Sequence, residues 1–243
     1  MSGDMDAKGN VPLAPRAVVL FSGGLDSTLS LHWGIMRYRD LFAVSFDYGQ
    51  PHRDAELCAA AAIAARRGID HCVDRIMMPV GGFLSGVRDH HPAGGRNPAF
   101  VPGRNLVFLS MALAHGMRRW GGESFDIVIG ACAEDADGYD DCRLEFFRAA
   151  EGALSKAVGV QIEVAAPFVK MTKAEALHTA RLRFPAALED VAGSWSCYRG
   201  QGPCGACTAC VLRAQAFLAM GIEDRCAAPR VFGGDVHRDM GLR

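Results

Sequence analysis

Apolar residues along the chain switch between two spacings, and the switching predicts alternating strands and helices. The run Ala17-Val18-Val19-Leu20 is apolar throughout and ends in Ser-Gly-Gly, as a buried strand entering a tight turn does. Leu29, Leu31, Trp33, Ile35 and Met36 then supply the apolar positions of a helix over residues 28–38. Residues 41–46 read as a second buried strand, 55–67 as an alanine-rich helix and 70–76 as a third strand. Leu106, Leu109, Leu113 and Met117 mark one side of the next helix. A fourth strand over 125–130, a helix over 143–158 and a strand near 161–165 follow. Strands alternating with helices imply an α/β fold, a Rossmann-like doubly wound parallel sheet with right-handed crossovers.

The pattern breaks in two places. Residues 77–103 carry Pro79, Pro92, Pro98 and Pro102 among several glycines, which predicts a long loop of little regular structure. Residues 1–15 read as a flexible leader, and the stretch from 226 to 243 as a Gly- and Arg-rich tail. Near residue 171 the strand–helix alternation gives way to helices. The first of these opens on a capping box, Thr172 with Glu175.

Composition narrows the class. The 26 basic residues against 27 acidic ones argue against a protein that clamps a long nucleic acid, which needs a basic face, so no nucleic-acid partner is expected. No apolar run reaches the roughly 18 residues of a membrane span, and the N-terminus lacks a signal-peptide core. No membrane association and a cytoplasmic location are the expectations.

Chemistry concentrates where predicted strands end. Phe21-Ser22-Gly23-Gly24-Leu25-Asp26-Ser27-Thr28 joins the first strand to a helix, so unpaired N–H groups and the positive end of the helix face one spot. Ser22, Ser27 and Thr28 add hydroxyls, making a phosphate cradle that lacks the Gly-Lys-Ser/Thr of a Walker A loop. Asp47-Tyr48-Gly49-Gln50 and the polar stretch 133–142 sit at the ends of the second and fourth strands, where open parallel sheets bind ligands. Lys173 is either within reach of a phosphate or a solvated first-turn lysine. Arg104 and Asn105 either meet a ligand or serve as a surface arginine and a helix cap. Glu134, Asp135 and Asp141 are either a recognition set or a solvated acidic loop.

Nine cysteines occur, and four of them fall as C-x6-C-x2-C-x2-C: Cys197, Cys204, Cys207 and Cys210. Glycines at 200, 202 and 205 permit a tight knuckle, and four thiolates suit a closed, structural Zn²⁺ site. An iron–sulfur cluster is the competing occupant. Cys58, Cys72, Cys132, Cys142 and Cys226 lie in scattered or apolar contexts that packing explains.

Ser22-Gly23-Gly24-Leu25-Asp26-Ser27 resembles the pyrophosphate loop of the ATP pyrophosphatases. Taken with Phe46-Asp47-Tyr48-Gly49-Gln50, Val101-Pro102-Gly103-Arg104-Asn105, Ala133-Glu134-Asp135, Gly138-Tyr139, Asp141-Cys142-Arg143, Thr172-Lys173-Ala174-Glu175 and the segment from Trp195 to Cys210, residues 16–222 resemble the 7-cyano-7-deazaguanine synthase family. The resemblance implies an adenine nucleotide α-hydrolase-like domain over 16–170 and a helical, zinc-binding region over 171–225. It implies an adenylate-forming carbon–nitrogen ligase that converts 7-carboxy-7-deazaguanine and ammonia to 7-cyano-7-deazaguanine with ATP and Mg²⁺, in queuosine biosynthesis.

Under that resemblance Phe21, Ser22, Gly23, Gly24, Leu25, Asp26, Ser27 and Thr28 hold ATP, with Asp26 toward Mg²⁺. Arg104 and Asn105 meet the nucleotide or the substrate carboxylate. Asp26, Ser27, Arg104 and Lys173 carry catalysis. Tyr48, Gln50, Glu134, Asp135, Tyr139 and Asp141 face the substrate, one of the acids reading its guanine-like edge. A homodimer is implied as well. The chain departs from the family pattern at Pro51, Ala99, Phe100, Asp140 and Leu144 and over residues 181–191. Two other readings keep the pyrophosphate loop: a paralogue that passes the acyl group to another amine, such as a protein N-terminus, and a tRNA sulfur-transfer enzyme.

Overall fold

The computed structural model describes residues 14–78 and 101–226. The leader up to residue 13, positions 79–100 of the long loop (Ala99 and Phe100 among them) and the tail from 227 lie outside the described residues. The doubly wound fold read from the pattern is borne out. Strands β1 (Ala14–Leu20), β2 (Tyr38–Asp47), β3 (Asp70–Arg75), β4 (Phe125–Val128) and β5 (Ile162–Ala165) form one sheet in the order β3-β2-β1-β4-β5. All neighbours run parallel, with Val18 of β1 in register with Phe42 on one side and Ile127 on the other.

The apolar run at 17–20 becomes the central strand because both its faces are covered: Ala17, Val18 and Val19 are fully buried. Helices α1 (Leu25–Ile35) and α2 (Arg53–Arg67) cover one face, where Leu31, Ile63 and Ala64 meet Ala17 and Val19. Helices α3 (Arg104–Trp120) and α4 (Leu144–Val158) cover the other, where Leu109, Leu113, Phe147 and Leu154 meet Val18 and Val44. Helices α5 (Lys173–Arg183), α6 (Ala187–Ala192) and α7 (Thr208–Met220) pack behind α1 around Leu29, Leu177, Phe184 and Phe217. Among the described residues no helix is long and apolar enough to cross a membrane.

Boundaries shift in instructive ways. Helix α1 starts at Leu25, not at 28, because Gly24 adopts an extended conformation and hands the chain directly into the first turn. Asp26, Ser27 and Thr28 are thus helical. Strand β1 begins at Ala14, so residues 14 and 15, read as leader, belong to the sheet, with Ala14 opposite Tyr38. Strand β2 starts at Tyr38, where the sequence put the end of a helix: Tyr38 is buried and donates to Asp126 at 2.8 Å. The polar stretch 133–142 folds into two short 3-10 turns, Ala133–Asp137 and Asp140–Cys142. Helix α6 lies in the segment that departs from the family pattern.

Asp190 of α6 is fully buried and accepts from His32 at 2.8 Å and from Arg66 and Arg67 at 2.5 Å each, tying the C-terminal helices to α1 and α2. Burial opposes the charge on Asp190, but the hydrogen bonds from Arg67, His32 and Arg66 outweigh it and hold the carboxyl below its ordinary range. Burial also pushes the His32 imidazole below its usual 6.5. Both groups bind fewer protons when folded, so acidification destabilises the fold. The His32 share is present above about pH 6.5 and fades below it, and the Asp190 share fades only below the usual carboxylate range. Melting temperature is expected to fall from about pH 7 to about pH 5, and Asp190→Asn to cost about 2 kcal/mol at neutral pH by weakening the charge-assisted hydrogen bonds from Arg66 and Arg67. Thermal melts across that range check both.

Candidate active site

Strand order reverses between β1 and β4, and an open parallel sheet has its crevice there, beyond the carboxyl ends of the strands. A cleft of about 580 Å³ occupies this position. Its floor is the sheet edge at Leu20, Val44, Phe46 and Ile129, and Ser22, Gly24, Leu25, Asp26 and Ser27 form one wall.

The loop is built to leave donors open. Phe21 N–H extends the β1–β2 pairing to Val44 O at 2.9 Å, and Gly23 turns the chain with φ +79°. Gly24 N–H donates to Ser22 Oγ at 3.2 Å, Ser22 Oγ meets Ser27 Oγ at 3.1 Å, and Ser27 Oγ donates to Gly24 O at 3.2 Å. The first helical bond runs from Thr28 N–H to Gly24 O at 2.9 Å, so the N–H groups ahead of Thr28 lack helical partners. Two loop residues have other work. A Cβ on Gly23 would lie 2.6 Å from Ala60 N and Glu56 O, so that glycine admits the backbone of α2. Thr28 is fully buried beneath the loop and does not line the cleft. Gly130 closes the other side: a Cβ there would lie 2.6 Å from both Asp26 C and Ser27 N.

A charge cluster abuts the loop. Lys173 Nζ donates to Asp26 Oδ2 at 2.7 Å and to Asp135 Oδ1 at 3.1 Å, and the side chain is buried, which excludes a solvated first-turn lysine. Burial would lower the Lys173 pKa, but Asp26 and Asp135 outweigh it and keep the ammonium charged. Burial and the Asp26 charge push the Asp135 carboxyl up, against Lys173 and the Cys132 N–H. Glu134 accepts the Lys173 backbone N–H through both oxygens, at 3.0 and 3.1 Å, and so steers the start of α5 into the cleft. Cys132, read from sequence as simple packing, donates its thiol to Asp26 Oδ1 at 3.1 Å. Burial, then Asp26, pushes that thiol up and keeps it protonated.

The opposite wall is aromatic. Arg104, which opens α3 after the left-handed Gly103, donates to Tyr48 Oη at 3.3 Å and lies over the rings of Tyr48 and Phe108. Its Nε is buried and finds no partner among the described residues. Gln50 accepts Tyr48 N–H at 3.0 Å and donates to Glu56 at 3.3 Å. Tyr139 Oη meets Tyr198 Oη at 3.4 Å. Asn105 borders the cleft but donates to Asp141 O, while Asp141 is buried, caps Asn105 N–H and does not line the cleft. Sequence reasoning passed over Glu56, His52, Phe108 and Tyr198 as lining groups. For Glu56 and His52 the signal was present: they start the helix that follows the Asp47–Gln50 stretch.

The four cysteine sulfurs lie within 4.8 Å of one another. Backbone N–H groups of Arg199 and Cys204 donate to Cys197 Sγ at 3.4 Å, and that of Cys207 to Cys204 Sγ at 3.3 Å. Such N–H···S bonds are the outer shell of a thiolate metal site. The hydrogen bond with Cys210 holds the Cys207 thiol down at about 5. The set fits one tetrahedral ion with no open position. The knuckle also builds the cleft: Trp195 N–H donates to Gly23 O at 2.9 Å, and His52 Nδ1 meets Tyr198 O at 3.1 Å. Loss of an ion from this set is expected to lower the melting temperature by several degrees and to disturb the wall of the cleft that Trp195 and Tyr198 build, both restored on reloading. Calorimetry of stripped and reloaded protein checks this.

A serine–glycine loop at a helix start, a buried lysine between two carboxylates and an aromatic wall thus converge at the switch point of an α/β sheet, where such folds bind their ligands. The family model for "Queuosine biosynthesis protein QueC" matches residues 16–221. The 7-cyano-7-deazaguanine synthase of Laribacter hongkongensis is 39% identical over 218 residues, spanning 86% of this chain and 93% of that protein. That of Chromobacterium violaceum is 37% identical over 235 residues, spanning 88% and 95%. The chain belongs to the QueC family, as its motifs implied, and its relatives' names mark it as an enzyme. A solved structure described as a predicted subunit of a tRNA methyltransferase from Methanocaldococcus jannaschii is similar at TM-score 0.42 and 14% identity, covering 90% of this chain and 94% of that one. At that distance it bears on nothing further.

Proposed function

We propose that the protein converts 7-carboxy-7-deazaguanine and ammonia to 7-cyano-7-deazaguanine at the expense of ATP. One observation carries the reading beyond the family: the pyrophosphate loop, the Lys173 cluster and the aromatic wall with its unsatisfied Arg104 Nε line a single cleft. An activating group and an acceptor therefore meet there.

In the first half-reaction a carboxylate oxygen of the substrate attacks the α-phosphorus of ATP and pyrophosphate leaves. The acyl-adenylate carbon then takes the nitrogen of ammonia, AMP departs with the bonding electrons, and the nitrogen gives up one proton to leave the amide. The amide oxygen then attacks the α-phosphorus of a second ATP and displaces pyrophosphate, and departure of AMP with the C–O bonding electrons and of both nitrogen-bound protons leaves the nitrile. The N–H groups at the start of α1, with Ser22 and Ser27, receive the pyrophosphate, and the Lys173 ammonium offsets the charge that develops there. Arg104 orients a carboxylate or phosphate through its fork, and Tyr48, Gln50 and Tyr139 frame the flat ring. Asp26 and Asp135 carry two negative charges against one on Lys173, a donor set that fits Mg²⁺, which when bound neutralises the departing pyrophosphate. Cys197, Cys204, Cys207 and Cys210 hold Zn²⁺ as a structural ion. A homodimer is part of the same proposal, and light scattering tests it.

Mass spectrometry of products from protein, 7-carboxy-7-deazaguanine and ATP, with and without ammonium, tests the reaction. Amide and then nitrile with ammonium support it. AMP release that depends on an added peptide, with neither product, would replace ammonia by another amine.

A further inference from the structure

A guanine-like ring presents two in-plane donors on one edge, the ring N–H and the exocyclic amine, and a carboxylate offers two acceptors at matching spacing. The cleft must supply that acceptor, and most of its carboxylates are committed. Asp26 and Asp135 hold Lys173 Nζ, and both oxygens of Glu134 take the Lys173 backbone N–H. Asp137 is exposed, and Asp141 does not line the cleft.

Glu56 remains. It stands in the first turns of α2, its side chain 16% exposed, and it lines the cleft on the side of Tyr48, Gln50 and His52. Gln50 Nε2 at 3.3 Å and His52 Nε2 at 3.5 Å both approach Oε2, and Oε1 accepts no hydrogen bond among the described residues. The carboxyl is therefore oriented without being saturated. Burial pushes its pKa up against the opposing pull of His52, Gln50 and Arg104, so a ligand that donates two hydrogen bonds would relieve a real penalty. Flat surfaces stand nearby: Tyr48 and Phe108 lie 5.5 Å apart between ring centroids, with the Arg104 guanidinium over both.

We propose that Glu56 is the specificity-determining residue that reads the ring N–H and exocyclic amine of the deazaguanine acid. The proposal rests on the function given above for the ring's identity. The test is therefore a binding measurement that stands apart from turnover. Calorimetric titration of the metal-loaded full chain uses 7-carboxy-7-deazaguanine and its counterpart without the exocyclic amine, 7-carboxy-7-deazahypoxanthine. The unaltered protein is expected to prefer the former by about 30-fold, and Glu56→Gln, isosteric but with one acceptor replaced by a donor, to bring the ratio within about threefold. Glu56→Asp, which keeps both acceptors, should retain part of the preference. Thermal melts of both variants confirm folding.

Equal binding of the two acids by the unaltered protein, binding of neither, or an undiminished preference in Glu56→Gln would overturn the proposal. So would a loss of ATP affinity in Glu56→Gln with the acid preference intact, which would assign Glu56 to the nucleotide. Preference as expected but no AMP, amide or nitrile would overturn the reaction and leave Glu56 standing.

Discussion

Lys173→Met is expected to lower kcat/KM for AMP formation by about 10³-fold, the scale on which removal of one preorganised charge from a dry site acts. The side chain is buried and touches both Asp26 and Asp135. Its loss removes the cation beside the pyrophosphate loop and strands two carboxylates a short distance apart. One of them is then expected to take up a proton, and because burial and Asp26 already push its carboxyl up, Asp135 is the one that does so. Stability should fall by roughly 3 kcal/mol from the broken buried ion pair. Pre-steady-state AMP release and a thermal melt separate the two effects. Asp135→Asn in the Lys173→Met background should recover much of the stability and little of the rate. Full activity in Lys173→Met would remove the lysine from the chemistry.

Gly130→Ala is the second large effect, and it adds only a methyl group. That methyl would press on Asp26 C and Ser27 N, both backbone atoms at the start of α1, so no side chain can swing aside. Either the helix start or the end of β4 must move by several tenths of an ångström. A displacement of that size at a phosphate cradle is expected to cost about 10²-fold in AMP formation and roughly 1–3 kcal/mol in stability. Gly152→Ala is the control: a Cβ there meets nothing within 4 Å, and in the middle of α4 alanine should be neutral or slightly stabilising. Equal rates for the two variants would contradict the crowding.

Much of this arrangement was legible in the sequence, and the rest has physical reasons for being hidden. The five strands and the helices that cover them follow from apolar spacing, because a fully buried parallel strand and a one-sided helix leave different periods. The cysteine knuckle was legible because thiols so close along the chain can reach one ion without strain, whereas packing alone does not gather them. Local patterns could not say that Gly23 and Gly130 answer to neighbouring backbone, since the partners lie dozens of residues away. Thr28 looked like a ligand hydroxyl until the helix was found to start three residues earlier, which turns it inward. Cys132 looked like filler in an apolar context, and only the fold brings Asp26 onto its sulfur. Glu56 was hidden within an alanine-rich helix because its meaning depends on which carboxylates are already engaged.

The contacts that complete the cleft also impose an order on synthesis. The loop at residues 22–27 receives its lysine from position 173, a separation of 147 residues, and its backbone partner from Trp195. A chain emerging N-terminus first can pair β1 with β2 early. It cannot present a finished cleft until Tyr198, which lines it, has left the ribosome. Truncated products therefore carry the whole signature loop without the lysine and the backbone partner that complete its cleft.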